Sequence, residues 1–355
     1  MTATPAQPSQ TSSGPPRAVL VLVGAAAAVI VIAGMRSIAS LLAPAFLALI
    51  LTVLAHPLRR WLHRWLPSWA ASAVCIAIVY VGLVLLALAV VISAARFASL
   101  LPTYADDFQR RIHDAIAWLD SVGVDKTRID QVASSFDLAK LGHVLEDLLS
   151  DLKSVTTDLF FILALVLFMT IDASAFPRLL DRARAARPDL VGALEDFAHG
   201  TRRYLAVSTV FGLIVAVFDT IALVLLGVPL ALTWGLLSFI TNYIPNIGFV
   251  LGLIPPAIIA LLEGGPVLMI VVIVIYCVLN VVIQSVIQPK FVGDSVGLST
   301  TLSFFSLLFW TWVLGPLGAL LAVPMTLCLK ALLVDADPDT RWLRPLISNK
   351  DEPAT

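Results

Sequence analysis

Charge is what this chain has least of. Asp, Glu, Lys and Arg make up 13% of its 355 residues, against about 25% in soluble domains. The two signs nearly cancel to a net −1, so no basic field recommends nucleic acid as a partner. Cysteine is scarce too. Cys75, Cys277 and Cys328 all lie in apolar runs with no C-x-x-C spacing, and read as packing residues. The five histidines, His56, His63, His113, His143 and His199, show no metal-ligand pairing. No G-x-x-x-x-G-K-[ST], H-E-x-x-H or G-x-S-x-G occurs, which sets aside those phosphate-loop and hydrolase chemistries. The expectation is a protein that is not an enzyme and holds neither metal nor cofactor.

Apolar residues are what the chain has in excess, 59% of the total, with a mean hydropathy of +0.95. That surplus cannot be hidden inside one water-facing globule, so it must face lipid. A bilayer core of about 30 Å needs ~20 apolar residues at 1.5 Å rise. Ala18–Gly34, Ser37–Ala55, Trp69–Ile92, Val155–Ile171 and Tyr204–Leu226 are such runs. Leu230–Leu262, Pro266–Ile287 and Leu298–Val334 follow. The first and last of these three approach twice the spanning length and are interrupted, at Pro245–Gly248 and at Gly315-Pro316. Each reads as a helical hairpin that returns to the side it entered from. The expected fold class is all-α, a polytopic transmembrane helical protein with about eight membrane segments, two of them Pro/Gly-broken hairpins.

The polar stretches complete the layout. Residues 1–17 are rich in Pro, Ser, Thr and Gln and are expected to be disordered. Residues 18–95 hold the first three spans. Between them, His56–Pro67 carries Arg59, Arg60, Arg64, Trp61 and Trp65, the chemistry of a membrane interface. Residues 96–154 carry apolar stripes, Leu100, Tyr104, Phe108, Ile112, Ile116, Leu119 and then Leu138, Leu141, Leu145, Leu148, Leu152. Their three-to-four spacing predicts amphipathic helices outside the membrane. Residues 155–334 form the core, with a basic segment at 172–203, and 335–355 are a tail. Placing the N-terminus inside puts Arg59, Arg60, Arg64, the Arg178–Arg203 cluster and the tail's Arg341, Arg344 and Lys350 inside together. Both termini are then cytoplasmic and 96–154 is extracytoplasmic.

Candidate functional residues sit in the second half. Proline in a spanning helix removes an amide donor, and broken backbone survives at bilayer depth only against protein or a water-filled cavity. The breaks bring Pro245, Asn246, Gly248, Pro255, Pro256, Gly315, Pro316, Gly318 and Pro324 into question as backbone-shaping or lining residues. Asn242 and Asn246, four apart, suit either a solute's hydrogen bonds or a tight turn at the membrane edge. Asn280, Gln284 and Gln288 recur at four-residue spacing before Pro289, giving one polar face on an apolar helix. That face lines an aqueous path or bonds helix to helix. Asp219 stands alone about four residues from the middle of its span, where a charge costs ~2.5–3.5 kcal/mol to insert. It is protonated, paired or beside water, and is the candidate for coupling to a proton or cation. Glu263, in a turn, reads as solvated.

Taken together these blocks resemble the autoinducer-2 exporter (AI-2E) family of bacterial membrane proteins. The resemblance runs from Leu41-Leu42-Ala43-Pro44 through Ala55-His56-Pro57-Leu58 to Lys330. Its most specific parts are Leu226-Gly227-Val228-Pro229, Asn242-Tyr243-Ile244-Pro245-Asn246-Ile247-Gly248, Ile254-Pro255-Pro256 and Gly264-Gly265. Val286-Ile287-Gln288-Pro289-Lys290, Val292-Gly293, Gly297-Leu298-Ser299, Phe309-Trp310, Gly315-Pro316-Leu317-Gly318 and Leu321-Ala322-Val323-Pro324 complete it. The resemblance implies an eight-segment permease of the bacterial inner (cytoplasmic) membrane, a homo-oligomer, associated with export of the quorum-sensing signal autoinducer-2. The residues themselves leave two other readings open. One is a cation/proton antiporter centred on Asp219; the other is a membrane scaffold that binds partners through 96–154.

Overall fold

The computed structural model describes residues 17–100, 104, 110, 159–173, 176–244, 247–288 and 298–343. Every described element is helical. Three helices come first: α1 (Arg17–Ser37), α2 (Ala39–Leu62) and α3 (Ser68–Leu100). Then come α4 (Leu159–Asp172), α5 (Phe176–Ala186) and α6 (Pro188–Leu225). The two hairpins supply the rest: α7 (Ala231–Thr241) with α8 (Gly248–Asn280), and α9 (Thr300–Leu314) with α10 (Pro316–Lys330). Among the described residues five helices are long and apolar enough to cross a membrane. With the shorter apolar helices α1, α4, α7 and α9 they make a polytopic all-helical bundle.

Helix ends and hydropathy ends differ. α2 does not stop at Ala55 but runs through Pro57 and the interfacial arginines to Leu62. The described part of the basic segment is mostly helical, in α5 and α6, and its second half is continuous with the fifth span as the 38-residue α6. Pro188 opens that helix at a first-turn position, where its missing N–H costs nothing. Of the 96–154 segment, all but residues 96–100, 104 and 110 lies outside the described residues, as do the tail beyond 343 and residues 1–16.

Two glycines break the spanning helices in the same way. Gly265, inside α8, has φ 78° and ψ −170°; Gly315, between α9 and α10, has φ 71° and ψ −153°. This backbone region is open essentially to glycine alone. Each is followed by a proline, Pro266 or Pro316, which disfavours helical backbone at the preceding residue. Tyr104 donates its hydroxyl to Glu263 beside the first break, so Glu263 has a protein partner. Arg36 lies over the Trp312 ring, 4.8 Å from its centroid, beside the second.

The arms of each hairpin press together where a glycine removes the side chain. A Cβ on Gly248 would lie 1.8 Å from the Thr241 carbonyl oxygen, and one on Gly318 would lie 2.0 Å from that of Trp310. The second hairpin is further tied by polar contacts. Trp310 Nε1 donates to Thr326 Oγ1 at 2.9 Å, and Ser306 Oγ donates to the Ala322 carbonyl at 3.0 Å. Its buried residues, including Leu307, Val313, Ala322 and Val323, pack with Ala43 and Ile50 of α2 and with Ala193, Phe197 and Leu205 of α6. Tyr243, Ile244 and Ile247 of the first hairpin's turn rest on this same core.

Candidate functional site

The site is assembled where α6, α7 and α8 meet, and small residues set the approach. A Cβ on Gly235 of α7 would fall 1.8 Å from Thr220 Oγ1 of α6; one on Gly252 of α8 would meet Ser238 Oγ of α7 at 3.3 Å. Gly212 of α6 seats the Asn242 side chain, whose Nδ2 is 2.7 Å from where a Cβ would be. Small residues at such crossings are how apolar helices reach backbone contact without a hydrophobic driving force between them.

Into this crossing project three amides that the sequence placed 42 positions apart or fewer. Gln284 Nε2 donates to Asn242 Oδ1 at 2.6 Å and to Asn280 Oδ1 at 2.8 Å. Asn242 Nδ2 donates to the Ser208 carbonyl at 3.1 Å, and Asn280 Nδ2 to the Tyr276 carbonyl at 2.8 Å. Both hydrogens of the Gln284 amide are thus spent on the asparagines. Its Oε1 accepts from no group among the described residues. Asn242 is the residue that closes α7, so its side chain is held at a helix end that is itself anchored. Next to it, Tyr204 donates its hydroxyl to the Tyr243 carbonyl at 2.8 Å, and the Tyr243 hydroxyl lies 2.7 Å from Thr209 Oγ1.

The same crossing encloses a narrow recess lined by Val215, Asp219, Ser238, Asn242, Phe249, Tyr276 and Asn280. In this conformation it is too tight for a water molecule. Asp219 is completely buried, Tyr276 is 1% exposed and Ser238 5%. Asp219, Ser238 and Tyr276 have only one another within reach: the Ser238 hydroxyl sits beside the Asp219 carboxyl and the Tyr276 phenol, short of full hydrogen-bond geometry. The crossing therefore holds a bonded amide chain and, against it, three polar groups without a full hydrogen bond.

Of the residues singled out in the sequence, Asn242, Asn280, Gln284 and Asp219 are brought together here. Gly248 abuts them through Thr241, and Pro255 and Pro256 lie on α8, with Pro256 fully buried. Gln288 ends the same helix but follows a π-helical turn, Val281–Ile287, whose wider winding interrupts the four-residue repeat. Gly315, Pro316, Gly318 and Pro324 shape the second hairpin and do not line this recess. Pro245, Asn246 and Pro289 lie outside the described residues. The sequence reading missed Ser208, Gly212, Ser238 and Tyr276 as site residues. Only the small-residue positions on α6 and α7 carried any signal for them.

The profile of the AI-2E family transporter matches residues 20–336. The AI-2 transport protein TqsA of Escherichia coli (strain K12) is 31% identical over 86% of this chain and 89% of its own length. A putative transport protein of Haemophilus influenzae is 30% identical over 93% of this chain and 97% of its own, and the putative transport protein YhhT of Escherichia coli (strain K12) 29% over 86% and 88%. A family match over nearly the whole chain, together with relatives of about 30% identity over most of both lengths, leaves one conclusion: the chain belongs to the AI-2E family of transporters.

Proposed function

We propose that the chain is a permease for a small, neutral, hydroxyl-rich solute, and that Asn242, Asn280 and Gln284 are its binding groups. The observation that carries this is the amide chain itself. Amides buried among apolar helices must be bonded, and here they bond one another. A solute with hydroxyl groups can take over those bonds one at a time, so passage trades hydrogen bonds rather than abandoning them. Charged lining would favour ions; an amide lining favours polyols. Autoinducer-2 has that chemistry, and TqsA is named for transporting it.

Gln288, Pro245, Asn246 and Pro289 are further candidates for solute contact by residue type, with Gly248, Pro255, Pro256, Gly315, Pro316, Gly318 and Pro324 as the backbone-shaping residues. The protein sits in the bacterial inner membrane with both termini cytoplasmic, as a homo-oligomer, and moves its solute outward. The Arg59–Arg64 and Arg178–Arg203 clusters support that orientation under the positive-inside rule.

The test is autoinducer-2 flux in proteoliposomes. Asn242→Ala and Gln284→Leu are each expected to slow it about tenfold, the factor that ~1.4 kcal/mol of lost binding corresponds to, at unchanged membrane insertion. Wild-type rates in both variants would remove the amides from the path.

A further inference from the structure

Asp219 is the one group in the recess that neither the amide chain nor the helix packing accounts for. It lies on α6 with both carboxyl oxygens buried and unpartnered. The Ser238 hydroxyl of α7 lies beside both this carboxyl and the Tyr276 phenol of α8. None of the three meets hydrogen-bond geometry with any group. Three helices thus each contribute one polar, unsatisfied, nearly fully buried group to a single recess.

Among the described residues, nothing near Asp219 compensates a negative charge. Tyr276 is the only other titratable side chain lining the recess. α7 carries no charged residue at all, and α3, which packs on α7, carries only Arg96 near its end. On α6 the nearest charged side chain is Arg203, sixteen positions back, about 24 Å along the helix axis. On α8 it is Glu263, beyond the Gly265 break and already taken by Tyr104. The Tyr243 hydroxyl is held by Thr209. A carboxylate with no water or cation beside it, and only hydroxyls short of hydrogen-bond geometry to face it, is a costly occupant for such a place. A recess too tight for a water molecule can still hold a proton, which needs no cavity of its own. A proton fits.

We propose that Asp219, Ser238 and Tyr276 form a proton-binding site, with the proton on the Asp219 carboxyl in this closed conformation and given up when the recess opens to water. The step breaks one carboxyl O–H bond; the electron pair stays on the oxygen and the proton passes to water. Ser238 and Tyr276 then turn their hydroxyls to the carboxylate as donors. Asn242 and Asn280 line the same recess, so opening it disturbs the amide chain and the proton together. Solute passage and proton release are therefore linked. That link rests on the permease reading; the proton site does not.

Infrared spectroscopy of the purified full-length protein in lipid decides the site. Wild type is expected to show, at neutral pH, a neutral carboxylic-acid carbonyl band that Asp219→Asn lacks, and that Ser238→Ala or Tyr276→Phe shifts without abolishing. No such band, or the same band in Asp219→Asn, overturns the site. Loss of the band on adding sodium at constant pH overturns it too, since a metal cation would then be the occupant. The link is read in proteoliposomes containing a pH-sensitive dye. An autoinducer-2 gradient is expected to move protons with wild type and not with Asp219→Asn. Autoinducer-2 flux without proton movement in wild type overturns the link and leaves the site standing. No autoinducer-2 flux in wild type counts against that solute, while the infrared band still decides the site.

Discussion

Gln284 Nε2 lies 2.6 Å from Asn242 Oδ1, joining the end of α7 to the π-helical turn that follows α8 across 42 positions of sequence. The same nitrogen reaches Asn280, so one side chain holds two helices and a turn. This bond makes Asn242 and Gln284 act as a unit. Removing either releases the other, so Asn242→Ala and Gln284→Leu should be non-additive in thermal stability. The expected coupling is about 0.6–1.7 kcal/mol, the range measured for hydrogen bonds between spanning helices. Strict additivity in a double-mutant cycle would show that the two amides act independently.

Gly248 and Gly318 make an equally sharp prediction about stability. At both positions the obstacle to a methyl group is a backbone carbonyl oxygen of the facing arm, which cannot swing away as a side chain can. Gly248→Ala and Gly318→Ala should each cost about 1–3 kcal/mol, the usual toll of overpacking, read as a lowered melting temperature in detergent. Gly24→Ala is the control. Nothing lies within 4 Å of its Cβ position, and alanine is the better helix former by about 1 kcal/mol, so that variant should be neutral or slightly more stable.

How much of this was legible in the sequence depends on what a residue reports. Apolar runs report solvent, and they located the spans; they do not report backbone, which is why α2 and α6 continue well past the hydropathy edges. The Gly-Pro pairs report backbone directly, and Gly315-Pro316 breaks the chain where its sequence says it should. Asn280 and Gln284 were visible as a pair because four-residue spacing is a local fact, and their bond bears that out. The four-residue repeat runs on to Gln288 in the sequence, but the π turn Val281–Ile287 that carries Gln284 has no signature in the residues that form it. Asn242 and Gln284, or Asp219 with Ser238 and Tyr276, meet only through the packing of α6, α7 and α8. No period or spacing along one chain encodes that.

Gly265 and Gly315 share a backbone that alanine adopts only under strain. Gly315→Ala should therefore cost roughly 1–3 kcal/mol, the worth of one residue held in a disallowed region, and shift the angle between α9 and α10. Distances between spin labels on Phe305 and Leu329 would register the shift. An unchanged distance distribution with an unchanged melting temperature would mean that the turn tolerates a Cβ after all.

The second hairpin's polar tie can be removed without changing its shape. Thr326→Val keeps the side-chain volume and withdraws the acceptor that Trp310 Nε1 uses at 2.9 Å. An indole N–H left unpaired in a buried place costs about 1–3 kcal/mol. Indole fluorescence and melting temperature should both move in this variant. Flux should move much less than in Gln284→Leu, because Trp310 and Thr326 do not line the recess.

Opening of the recess is the last requirement, since a gap too tight for water carries no solute as it stands. In a background with Cys75, Cys277 and Cys328 replaced, single cysteines at Val215 and Phe249 face that gap, while one at Val217, 48% exposed near the middle of the fifth span, points out of the crossing. A membrane-impermeant thiol reagent should reach the first two slowly and the third not at all, and autoinducer-2 should slow the reaction at Val215 and Phe249 by occupying the same space. Labelling in the absence of solute measures how often the helices part; protection measures what enters. If neither position ever reacts while the protein is shown to move autoinducer-2, the solute travels elsewhere in the bundle. The crossing of α6, α7 and α8 would then be a structural joint and not the passage.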